Sequence, residues 1–215
     1  MKRIVMIGAT GAVGGHCARA LAGRAALVAL GRRADPALEA EQHVVDLSDP
    51  ATFAAHLAGA DAAICCLGVG EPSKVSREEF RRIDHDLPLT FARACREAGV
   101  AGFSLLSSVG ASSGSHSFFL RSKGELENAL RALPFKRLTL VHPSMILTPE
   151  NRYGLSQALT LAIWPRLDAV LRGPLTKLRG VPVEVLGRAI AIDALSDVPG
   201  ARVLEWPEIT SLGAE

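Results

Sequence analysis

Lys2-Arg3-Ile4-Val5-Met6-Ile7-Gly8-Ala9-Thr10-Gly11-Ala12-Val13-Gly14-Gly15 carries a short apolar run straight into glycines at 8, 11 and 14. The run is apolar at every position rather than at alternate ones, which marks a strand covered on both faces. The first glycine permits a turn that a Cβ forbids. The other two let a bound group and a packed strand come close to the main chain. A helix expected over 16–22 then points its first N–H groups and its positive dipole end at an anion. A plain structural turn uses the same glycines. The position between a first strand and a first helix favours a dinucleotide cradle built from Gly8, Thr10, Gly11, Ala12, Val13 and Gly14.

Further strands are expected at 26–30, 43–45, 62–67, 103–106 and 138–141. Helices are expected at 49–57, with Asp49 as N-cap, at 77–98 with a break near Pro88, and at 123–133. Strands alternating with helices through short connections give an α/β fold, a Rossmann-like doubly wound parallel sheet. After about residue 143 the alternation stops. A helical stretch near 155–171, a strand–helix unit at 181–197 and a strand at 201–205 are expected. This part is assigned to a small substrate or lid lobe of a single domain spanning 1–215.

Composition narrows the function classes. Hydrophobic residues at 48% and charged residues at 21% fit an ordinary globular chain. A net charge of +2 without any Lys/Arg-rich run argues against a nucleic-acid partner. Lys2-Arg3 before an apolar run resembles a signal peptide, but Gly8, Gly11, Gly14 and Gly15 interrupt it. The stretch 155–171 is short and contains Pro165, Arg166 and Asp168, so no membrane span is expected. Cys17, Cys65, Cys66 and Cys95 have neither zinc spacing nor a secreted disulfide pattern, so a cytoplasmic chain with reduced thiols and no metal is expected.

The second strand ends in Gly31-Arg32-Arg33. Arginine there offers a planar fork of donors to a 2′-phosphate, where an acid would hold a ribose hydroxyl, so the expected cofactor is NADP(H). A solvated basic loop end is the plainer alternative. Asp46-Leu47 lies where a side chain reaches an adenine amino group, or where an Asp caps a turn. Leu67-Gly68 ends the fourth strand, where backbone approaches the cofactor or simply turns. Cys65 and Cys66 point to opposite faces and do not pair. Asp84 and Asp86 are read as surface charges or caps, and Glu125 and Glu127 as first-turn acids.

Gly8–Gly15, Gly31-Arg32-Arg33, Cys65-Cys66-Leu67-Gly68, Leu105-Leu106-Ser107-Ser108, Ser122-Lys123-Gly124-Glu125-Leu126-Glu127, His142-Pro143-Ser144 and Val181-Pro182-Val183 occur in order. This set resembles the atypical short-chain dehydrogenase/reductases, in particular the Tat-interacting-protein-like oxidoreductases and their bacterial relatives. The resemblance implies a Rossmann-like fold, NADP(H) binding, oxidoreductase activity, and cofactor contacts that include His142 and Pro143. Carbonyl-reducing relatives use a Ser/Thr after the fifth strand and a Tyr four residues before a Lys. Ser107 and Ser108 match the serine region and Lys123 the lysine, but Phe119 stands at the tyrosine position, and a phenyl ring has no proton to give. Ser108, His116, water, or Tyr153 from the substrate lobe remain as proton sources. Plainer readings are a polar strand end for the serines, an exposed helix-start residue for Lys123 and a solvated loop for His116.

Two functions follow. One is an NADP(H)-dependent oxidoreductase reducing a small carbonyl or quinone, with Ser107, Ser108 and Lys123 at the reaction centre. The other is an impaired, NADPH-sensing regulatory or protein-interaction module, favoured by Phe119. A nucleotide-sugar epimerase is a weaker third, since the chain is short and lacks the tyrosine. A homodimer or a regulatory protein partner suits either of the first two readings.

Overall fold

Ile4 to Ile7 are fully buried, and their side chains go alternately to two separate cores. Ile4 and Met6 pack with Cys17 and Leu21 of the first helix and with Leu186 and Ile190 near the C-terminus. Val5 and Ile7 pack on the other face with Phe53, Phe91, Phe103 and Leu126. Such a strand belongs in the middle of a parallel sheet. The computed structural model, which describes residues 1–148 and 171–214, places it there.

The main sheet has seven strands: β1 (Lys2–Ile7), β2 (Ala25–Gly31), β3 (Glu41–Val44), β4 (Ala62–Cys65), β5 (Gly102–Leu106), β6 (Arg137–Val141) and β9 (Gly200–Leu204). Their order is β3-β2-β1-β4-β5-β6-β9 and every pairing is parallel. The chain runs outward from β1 in one direction and then restarts at β4 in the other, so a crevice opens beyond the C-terminal ends of β1 and β4. A small parallel pair, β7 (Ile146–Leu147) with β8 (Val181–Pro182), stands apart. Of the residues after 143, β9 extends the main sheet and α5 (Val183–Leu195) lies in the same core as β1. A last helix, α6 (Trp206–Leu212), follows β9.

Several helix boundaries differ from the sequence expectation, for identifiable reasons. Helix α1 spans Ala12–Leu21, so Gly14 and Gly15 lie inside it. The stretch 49–57 forms two short 3-10 turns, Pro50–Thr52 and Ala54–Leu57. Asp49 caps the first by accepting from the Ala51 N–H. The stretch 77–98 is divided into α2 (Arg77–Arg81), a π turn (Arg82–Asp86) and α3 (Leu87–Glu97). Pro88, in the first turn of α3, has no N–H to give, and the wider turn ahead of it accommodates the ring. Helix α4 spans Phe118–Arg131 because the Ser117 hydroxyl caps it through the Leu120 N–H. The expected helix at 155–171 and Tyr153 lie outside the described residues, Leu171 excepted. Among the described residues no helix is long and apolar enough to cross a membrane.

One polar cluster is interior but for the half-buried Arg202 at its edge. Asp193 of α5 accepts hydrogen bonds from Arg137 Nη1 (2.7 Å), Ser104 Oγ (2.9 Å) and Thr139 Oγ1 (3.0 Å), and from the Arg202 guanidinium. It thereby fastens α5 to β5, β6 and β9. Nothing local in the sequence pairs these residues, although a lone acid in the apolar run Ala189-Ile190-Ala191-Ile192-Asp193-Ala194 is a signal that it needs a partner.

Candidate functional site

The glycine turn is shaped by contact as well as by backbone angle. Gly8 has φ +80°, and a Cβ there would lie 2.5 Å from the Cys66 carbonyl carbon and the Leu67 nitrogen. A Cβ on Gly14 would come within 2.0 Å of the Gly8 oxygen. The turn is closed by the Gly11 N–H donating to the Gly8 carbonyl at 3.1 Å. Gly11 is the N-cap of α1, has no side chain to occupy the first-turn N–H groups, and no acid lies in that turn. The helix therefore presents open donors to an anion. Thr10 and Gly11 are exposed and Ala12 is half-buried, whereas the Val13 side chain is packed into the core.

A cavity of about 160 Å³ adjoins this turn at the strand ends. Gly8, Thr10, Arg32, Arg33, Asp46, Leu47 and Leu67 all line it, so the structure brings these sequence-predicted residues together. Arg82, Ile83 and Leu87 close its far side and were not anticipated. Asp46 makes a tight turn with Ser48, accepting from its N–H at 2.9 Å and its hydroxyl at 2.6 Å. The Ser48 hydroxyl and N–H hold the Asp46 carboxyl below the usual carboxylate range. A larger cavity of about 640 Å³ runs along the outer side of α1 and shares only Ala9, Thr10 and Leu38 with the first. The smaller one meets the strand ends and is the better fit to the adenosine half of a dinucleotide.

Lys123 is not an exposed helix-start residue. It sits inside α4, its side chain 6% exposed, with Nζ 2.8 Å from Asp84 Oδ1. Asp84 is likewise not a surface charge. It projects inward from the π turn, 2% exposed at the side chain, and its Oδ2 accepts the Val69 N–H at 2.7 Å. This pair fixes the loop after β4 beside Gly68, where a Cβ would stand 3.0 Å from Asp84 Oδ1. Phe119 lies one helical turn before Lys123, its ring against Phe80 with centroids 5.6 Å apart. His116 is exposed in the preceding loop.

The two serines diverge. The Ser107 hydroxyl donates to the Glu127 carboxylate, which also hydrogen-bonds His142 Nε2 at 2.7 Å. All three residues are buried. Glu127 is thus an interior acid of α4 rather than a first-turn acid, while Glu125 pairs with Arg81 at 2.6 Å. His142 contributes its ring to this cluster, and the following Pro143 accepts the Val109 N–H at 3.0 Å. Ser108, half-buried, makes one long contact of 3.4 Å through its hydroxyl. Its proton is available to a neighbour in a way that Ser107's is not. Cys65 is buried in one core while Cys66 packs against the other, and all four thiols are free.

The arrangement fits a nicotinamide dinucleotide: an open helix N-terminus for pyrophosphate, an arginine-lined cavity beside it, and the buried Lys123–Asp84 pair at Gly68 after β4. Comparisons with known proteins agree. Residues 8–156 match a protein family described as NAD(P)H-binding. Protein HTATIP2 of Rattus norvegicus is 31% identical over 163 residues, covering 71% of this chain and 67% of that protein. The mitochondrial protein FMP52 of Debaryomyces hansenii is 34% identical over 106 residues, covering 49% of this chain and 46% of that protein, so the chain matches under half of that relative's length. Among solved structures, MoeE5 in complex with UDP-glucose and NAD superposes with a TM-score of 0.73 at 17% identity, over 99% of this chain and 81% of that one. At that identity the likeness shows the fold alone.

Proposed function

This chain belongs to the NAD(P)H-binding family, with atypical short-chain dehydrogenase/reductases among its relatives, and from that premise we propose that it is an NADPH-dependent oxidoreductase delivering hydride to a small carbonyl or quinone. The observation that carries this reading is Lys123, a buried ammonium held by Asp84 at the strand ends beside Gly68. When bound, the cofactor supplies the hydride. The turn at Gly8–Gly14 would hold the pyrophosphate, and Arg32 and Arg33 would take the 2′-phosphate. Lys123 would hold the nicotinamide ribose, and Asp84 fixes where its Nζ points.

Phe119 removes the usual proton donor and shapes the choice of acceptor. A quinone takes up hydride as a delocalised anion that water can protonate, so it needs less help from the protein. Ser108 is the hydroxyl that a carbonyl oxygen would find, because Ser107 donates to Glu127. The second reading, an NADPH-sensing regulatory module, draws on the same Phe119.

The test is NADPH oxidation by purified protein against a panel of quinones and dicarbonyl compounds, with Lys123→Ala as the control. Turnover that a Lys123→Ala chain loses while circular dichroism shows it folded supports the oxidoreductase. Bound NADPH with no turnover across the panel overturns it in favour of the regulatory module.

A further inference from the structure

On the opposite side of the β2 end from the glycine turn, the edge strand β3 carries a cluster of which only His43 touches the cofactor cavity. Glu41 and His43 are two apart on a strand and so share a face. The short turn Ala54–Leu57 brings His56 against them, its ring stacked on His43 with centroids 3.6 Å apart and planes 18° apart. Glu41 Oε1 is 2.7 Å from His43 Nε2, while the other carboxylate oxygen faces Arg3 Nη1 at 3.4 Å. One ligand atom from each of Glu41, His43 and His56 lies within 4.8 Å of the other two. Among the described residues this is the single such grouping of three. Glu41 is exposed and both histidines are half-buried, so solvent reaches the cluster.

Two imidazole nitrogens and one carboxylate oxygen form a donor set that suits zinc, nickel or copper, and not magnesium or calcium, which take oxygen donors. Zinc bonds of about 2.0–2.2 Å in a tetrahedron bring donors to roughly 3.3–3.6 Å from one another. The cluster comes to that spacing if the two rings turn out of their stack, a rotation open to side chains at the surface. Arg3 occupies the oxygen that the ion does not need. The sequence shows no metal spacing here because His56 comes from a separate turn, Ala54–Leu57, thirteen positions after His43. We propose that Glu41, His43 and His56 bind one divalent transition-metal ion, three protein ligands leaving the remaining coordination to water. His43 also lines the arginine-rich cavity, so the ion adds positive charge beside Arg32 and Arg33.

The experiment is calorimetric titration of the full, tag-free chain with zinc chloride in a non-coordinating buffer, with magnesium chloride as the comparison and circular dichroism to check each variant's fold. One zinc per chain is expected, no heat is expected from magnesium, and His56→Gln and Glu41→Gln should each weaken zinc by roughly tenfold or more. His56 lies outside the proposed cofactor cavity, so its substitution reads the metal alone. The proposal is overturned by the absence of zinc binding, or by zinc binding that persists unchanged in folded His56→Gln and Glu41→Gln chains.

Discussion

Replacing Asp84 by Asn removes one charge while keeping an oxygen that can accept the Val69 N–H, so it isolates the ion pair with Lys123. The two groups are 2.8 Å apart with side chains 2% and 6% exposed. At an effective dielectric constant of 20, that separation corresponds to an attraction of about 6 kcal/mol. Desolvation of two buried ions offsets most of it, so the intact pair contributes little net stability. The single variant is different, because it leaves a buried ammonium without its counter-ion, and a loss of roughly 3–5 kcal/mol is expected. Lys123→Met should cost a similar amount by stranding the carboxylate. The double variant should recover much of the loss, since neither charge then remains. Urea unfolding of the four proteins gives the coupling directly. Single variants that each lose less than about 1 kcal/mol, or losses that simply add, would refute the buried pair as described. NADPH binding separates structure from function: the double variant should regain stability but not affinity.

Four other outcomes are expected. Gly14→Ala places a Cβ 2.0 Å from the Gly8 oxygen and should destabilise by at least about 1–3 kcal/mol, whereas Gly15→Ala, with its nearest neighbours at 3.7 Å, should stabilise by roughly 0.5–1 kcal/mol; thermal or urea unfolding distinguishes them. Arg32→Ala with Arg33→Ala should weaken NADPH by about 10-fold or more and leave NADH unchanged, as read by cofactor fluorescence titration. Phe119→Tyr should raise carbonyl reduction in a steady-state assay, and an unchanged rate would place residue 119 away from the reacting carbon. Burial pushes the Cys65 thiol up to about 12 and raises Cys17, Cys66 and Cys95 as well. The unfolded chain loses these protons above about pH 9 while the folded chain keeps them, so the urea midpoint should fall as pH rises through 9 to 10, with thiol reagents slow on the native protein.

The central strand, the glycine turn and the parallel order were legible because each has a local signature: apolar at every position, glycine at 8, 11 and 14, short connections. That the residues at 32, 33, 46, 47 and 67 meet at one cavity was legible for the same reason, since they follow strands whose ends converge. Asp84 and Glu127 were not. Their facing was judged from ideal helical spacing and from a helix start at 123. The π turn at 82–86 changes the angular spacing and turns Asp84 inward. The Ser117 cap starts α4 earlier, which moves Glu127 from a first turn into the interior against Ser107 and His142. A boundary error of a few residues therefore became an error about which charges are buried. Arg137 and Asp193 could be paired only through the fold, since 56 residues separate them.

That last separation bears on how the chain assembles during synthesis. Arg137 leads β6 into the sheet and its guanidinium is nearly sealed from solvent, yet its only carboxylate partner in the described residues is on α5. A nascent chain that has emerged through β6 has the strands to build most of the sheet but an unneutralised cation on what is then its edge strand. It can close over that cation only when residue 193 follows. Completion of the interior is thus deferred until α5 and β9 arrive: a chain released before them leaves β6 as an open edge with Arg137 in water, the kind of incomplete intermediate on which chaperones and proteases act.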